Sequence, residues 1–105
     1  MAIKTARKEA GRIVTQLVNL YDPQKIILFG SAVSNTATVN DLDFLIIKKK
    51  VPLLGVERAR EVRWLIETDF AADYLIITPD EWTKRLQQGD PFMNVILEKG
   101  EVLYG

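Results

Sequence analysis

The sequence runs to 105 residues, 48% hydrophobic and 27% charged, with 14 basic and 14 acidic side chains and so no formal net charge. A chain of this size and composition is expected to form one globular domain over residues 1–105, and the charge balance argues against a nucleic-acid partner. It contains neither cysteine nor histidine, which excludes disulfides, thiolate metal sites, imidazole ligands and a Ser-His triad.

Any chemistry must therefore come from carboxylates, hydroxyls, amines and the backbone. No apolar run approaches the roughly 18–20 residues of a membrane span. The opening stretch "MAIKTARKEAGR" lacks the apolar core of a secretory signal. A cytoplasmic protein without a membrane partner is the expectation.

Between Ile3 and Leu20, Ile3, Ala6, Ala10, Ile13, Val14, Leu17 and Val18 recur at three- and four-residue steps, one face of a helix that "NLYDP" ends. Ile26–Phe29 reads as a short strand stopping at Gly30. Residues 31–40 read as a loop or one short helical turn. Leu42–Ile47 is a second strand closed by Lys48-Lys49-Lys50, a solvated exit turn. Val56–Phe70 has helical spacing, with Ala59, Val62, Leu65, Ile66 and Phe70 inward and Glu57/Arg60 and Arg63/Glu67 able to pair on the wet side. Asp73–Thr78 reads as a third strand. "TPDEW" opens a helix with Thr78 as cap and Pro79 in the first turn. Pro91–Glu98 is a further short helix, and Val102–Tyr104 a terminal edge strand. Trp64 and Trp82 are expected in the core or at an interface.

This order predicts an α/β fold of the α+β sandwich kind, a small mixed sheet flanked by helices. Bringing Ser31 to Asp41 requires the first two strands to run antiparallel. The helical crossover makes the second and third parallel. Asp41, Asp43 and Asp73 then converge at one sheet edge.

Asp41 and Asp43 are two apart and point to one face of a strand. Taken alone, Asp41 in "ND" is ordinary turn chemistry. Asp43 lies one residue inside an apolar strand, and Asp73 repeats the anomaly in "AADYLIIT". Clustered carboxylates repel, and a hard divalent cation, magnesium or manganese, resolves the conflict. A calcium loop opening at Asp41 fails, because Ile46 and Pro52 stand where Gly and Glu are needed. Gly30-Ser31, a mere turn in isolation, can bring amides and a hydroxyl close to phosphate beside such a site.

Gly30-Ser31, nine residues, Asp41-Leu42-Asp43 and a later strand-borne Asp73 resemble the signature of the polymerase-β-like nucleotidyltransferases. Within that superfamily the chain resembles the minimal nucleotidyltransferases (MNT) encoded beside HEPN partners, over nearly its whole length including the tail "PFMNVILEKGEVLYG". The resemblance implies the nucleotidyltransferase fold and metal-dependent transfer of AMP from ATP to a hydroxyl. It implies that Gly30 and Ser31 hold the triphosphate, that Asp41, Asp43 and Asp73 bind the metal, and that Asp73 also activates the acceptor. It further implies an antitoxin role, with a tyrosine of a HEPN ribonuclease as acceptor.

Many relatives read Gly-Ser-x-Ala-Arg-Gly at the loop, where this chain reads "GSAVSNT" and offers no arginine. A helix-borne cation from Arg58, Arg60 or Arg63 is the first replacement to seek. Two other readings stay open: a binding-only antitoxin acting by occlusion, and a nucleotidyltransferase for a small-molecule hydroxyl. So compact a core also leaves the second substrate wall to a partner protein or another subunit, and so leaves homo-oligomerisation open.

Overall fold

The computed structural model describes residues 1–34 and 38–105. The centre of the expected loop, residues 35–37, lies outside the described residues. In chain order the elements are α1 (Ile3–Leu20), β1 (Lys25–Phe29), a 3-10 turn (Gly30–Ala32), β2 (Leu42–Ile47), α2 (Gly55–Leu65), β3 (Ala72–Ile77), α3 (Pro79–Gln87), α4 (Pro91–Lys99) and β4 (Glu101–Tyr104). The strands form one mixed sheet in the order β3-β2-β1-β4. β1 runs antiparallel to both β2 and β4, and β2 and β3 are parallel. This is the α/β sandwich that the strand and helix periods predict.

Alternation along β2 divides the core between two sheet faces. Phe44 and Ile46 join Ile13 and Leu17 of α1 and Val62 of α2 on one side. Leu45 and Ile47 join Ile27, Ile77 and, from α4, Met93 and Ile96 on the other. Ala6, Ala10, Ile13 and Leu17 leave almost no surface, so the small residues near the start of α1 let the helix lie close to the sheet. Each fully buried Leu, Ile or Phe contributes about 1.5–3 kcal/mol. Phe44 stacks on Tyr74 across β2 and β3 with ring centroids 5.7 Å apart.

The helix starts follow local chemistry. Thr78 and Glu81 close a reciprocal capping box on α3, and Asp90 accepts from the Phe92 and Met93 amides at the start of α4. Among the described residues, no helix is long and apolar enough to cross a membrane.

Three expectations need correction. The second helix ends at Leu65, not Phe70, because Ile66 turns to extended backbone. Gln16 of α1 then takes over, accepting from the Glu67 amide at 2.8 Å and donating to the Glu67 carbonyl at 2.9 Å. The wet-side ion pairs also differ: Arg63 reaches Asp73 instead of Glu67, and Glu57 and Arg60 do not pair. Lys48 is not a solvated exit residue. Its ammonium donates to the Tyr21 carbonyl and lies 4.6 Å from the centre of the Tyr21 ring.

Candidate active site

The mouth of the sheet is where β1 ends and β2 and β3 begin. Antiparallel pairing sets Phe29 opposite Asp43, and parallel pairing sets Asp43 opposite Asp73. Asp43 and Asp73 share the sheet face that Leu45, Leu75, Ile47 and Ile77 line further along, so strand alternation aims both carboxylates to one side. Asp41 precedes β2 and is exposed. Its carbonyl accepts from the Ser31 hydroxyl at 3.4 Å, which ties the turn after β1 to the start of β2.

Gly30 has a chemical reason to be glycine. Its φ is +77°, and a Cβ there would stand 2.3 Å from Asp43 Oδ2. Left-handed backbone and close approach to a carboxylate coincide at one residue. The turn and the half-buried acid thus share one volume.

Asp43 is half-buried, and its carboxyl is pushed above the usual range by burial first, then by Asp73 and by Asp41. Burial and the two neighbouring carboxylates both disfavour the ionised form. Asp73 is exposed, and its Oδ1 lies 3.7 Å from Arg63 Nη2.

The donor set fits magnesium or manganese in chemistry: carboxylate oxygens, with no sulfur or imidazole. No three acidic side chains among the described residues form a ready-made cage.

A hollow of about 320 Å3 adjoins the turn, walled by Phe29, Gly30, Val33 and Ser34 on one side and by Val95 and Lys99 of α4 on the other. Comparison with family models, curated proteins and solved structures gives no match to this chain. The site is therefore read from its own geometry.

Of the expected residues, Gly30, Ser31, Asp41, Asp43 and Asp73 all come to the mouth. The arginine segment does not serve the turn. Arg58 is buried and donates to the Pro52 carbonyl at 2.6 Å, the Ile76 carbonyl at 3.1 Å and Glu81 Oε1 at 2.7 Å, at the opposite end of the sheet. Arg60 faces outward, and Arg63 meets Asp73 rather than the turn.

Two cations that sequence reasoning missed do stand beside the turn. Arg7 of α1 donates to the Ala32 carbonyl at 3.4 Å and grips Glu101 through both carboxylate oxygens at 2.7 and 2.6 Å. Lys99 shares a hollow with Gly30 and Ser34. The missing signal was the partner of β4: a strand antiparallel to β1 starts where β1 ends, and so carries Lys99 to Gly30.

Proposed function

We propose that this chain is a metal-dependent nucleotidyltransferase that transfers AMP from ATP to a hydroxyl, a tyrosine of a HEPN-type partner. The observation that carries the reading is the contact of the Gly30 turn with the Asp43 carboxylate, in register with Asp73. It sets the Gly30 backbone against the half-buried Asp43 carboxylate, whose in-register neighbour Asp73 stands 3.7 Å from Arg63.

Gly30 and Ser31 hold the triphosphate through backbone amides and hydroxyl. Asp41, Asp43 and Asp73 hold magnesium or manganese, which when bound neutralises the phosphates and lowers the acceptor's pKa. Asp73, the more exposed acid of the in-register pair, takes the proton as the acceptor oxygen bonds to the α-phosphorus and pyrophosphate leaves. Lys99 is the cation available to the outer phosphates.

A binding-only antitoxin is favoured by a different observation, the want of a preformed three-carboxylate cage among the described residues. One experiment separates the two. Incubation with ATP, magnesium and the HEPN partner should add one AMP mass to the partner, and Asp41→Ala or Asp43→Ala should abolish it. Undiminished neutralisation of the partner by the double variant, with no adduct, would establish occlusion instead.

A further inference from the structure

The outer face of α2 carries features that the site chemistry does not use. Arg58 and Val62 point inward from this helix. At about 100° per residue, that turns Glu57, Arg60 and Trp64 outward, and Leu53 stands exposed two residues ahead of the helix. Trp64 is 90% exposed, Leu53 88% and Val56 70%. Large apolar side chains this bare at both ends of one helix mark an interaction surface. Between the apolar ends lie Glu57 and Arg60, and neither finds an ion-pair partner among the described residues. Beside them runs an open groove of about 400 Å3 walled by Pro52, Glu57, Arg60, Glu61 and Trp64.

The order of these residues is its own complement. A second copy laid antiparallel, about a two-fold axis between Arg58 and Ala59, sets Glu57 opposite the second copy's Arg60 and Arg60 opposite the second copy's Glu57. The same operation brings Trp64 over the second copy's Leu53, and Leu53 beneath the second copy's Trp64. A two-fold contact demands a patch that complements itself in this way. A partner bearing one sign of charge would leave half of the central pair unmatched.

We propose that α2 is a homodimerisation helix, two copies pairing antiparallel with Trp64–Leu53 contacts at both ends and Glu57–Arg60 pairs in the middle. The inference is independent of the nucleotidyl-transfer reading. A helix of 11 residues spans roughly 16 Å. The contact therefore falls at the small end of specific interfaces, where association is weak and concentration-dependent.

Sedimentation velocity from about 1 µM to about 1 mM chain tests it. Wild type should pass from monomer to dimer across the series, with Trp64 emission shifting to the blue as the dimer fills. Glu57→Arg opposes cation to cation, and Arg60→Glu opposes anion to anion, so each variant alone should dimerise about tenfold more weakly or worse. An equimolar mixture of the two restores both opposite-charge pairs and should dimerise as wild type does. All substituted side chains are exposed, and circular dichroism checks that each variant keeps its fold. Wild type that stays monomeric throughout overturns the proposal. So does a mixture no better than its components, or a dimer indifferent to Trp64→Ala.

Discussion

Asp43 and Asp73 stand directly opposite each other on neighbouring parallel strands, where side chains at one level cannot avoid each other's charge. Asp43 is the half-buried member and bears the cost, its carboxyl raised by desolvation and then by its two neighbours. A raised carboxyl in the folded state means that folding takes up protons. The ionised acid therefore destabilises the metal-free chain above its folded pKa, and the penalty fades as pH falls toward the unfolded value. Asp43→Asn should raise the metal-free thermal midpoint at neutral pH, with the advantage shrinking in acid. In calorimetry the same variant should bind magnesium or manganese about tenfold more weakly or worse. Equal affinity in both proteins would remove the metal site.

Gly30→Ala tests the shared volume of turn and acid. A left-handed backbone costs a non-glycine residue roughly 1–2 kcal/mol, and the new methyl must also displace an oxygen only 2.3 Å from it. Urea unfolding should show at least that loss. Adding Asp43→Ala should recover the steric part and leave the backbone part. Two strictly additive effects would mean that the residues do not compete for space.

Acid stability should depend on Glu81. Its carboxyl lies below the ordinary 4.5, chiefly through the hydrogen bond from Arg58, and Thr78 adds to the effect. A depressed folded pKa contributes stability that is present above the unfolded value and lost as pH falls through the folded one. Wild type should therefore lose stability below about pH 4.5, and Glu81→Gln should flatten that decline while lowering stability at neutral pH. Glu9, lowered by Thr68 and then Arg12, contributes a second fall of the same sign. A chemical-denaturation series at stepped pH reads both.

On the nucleotidyl-transfer reading, Lys99 replaces the arginine that the turn lacks. One charge-assisted contact to phosphate is worth about 1.5–3 kcal/mol, so Lys99→Ala should weaken ATP binding by roughly one to two powers of ten. Lys99→Arg should preserve it. Arg7→Ala should act mainly through stability, since Glu101 already engages that guanidinium. Calorimetry on the three variants separates these roles, and unchanged binding by Lys99→Ala would return the search to other cations.

Most of the architecture was legible because two periods dominate it. The stripe of Ala6, Ala10, Ile13 and Leu17 can bury only as a helix, and an aspartate inside an apolar strand announces a constrained carboxylate. What stayed hidden was set by contacts distant in sequence. The helical spacing of Ile66 and Phe70 runs on past Leu65, yet the Gln16 side chain holds the Glu67 backbone. Arg58 occupies a core-facing position, but a charged side chain invites assignment to water until Glu81, from another helix, is seen to meet it. Lys99 gains meaning only from the pairing of β4 with β1.

Arg58 also divides the molecule mechanically. One guanidinium gathers the carbonyls of Pro52, Leu53 and Ile76 and both Glu81 oxygens, so the segment after β2, the end of β3 and the first turn of α3 cannot loosen separately. The sheet thus has a heel tied together by one side chain at Arg58, whereas at the mouth Gly30, Asp41 and Asp43 meet through turn and strand contacts alone. Amide hydrogen exchange should follow that gradient, slow at the last residues of β3 and the start of α3 and faster around Gly30 and Leu42. A ligand at the mouth would then slow exchange there and leave the heel unmoved, giving any candidate substrate a spatial signature before turnover is measured.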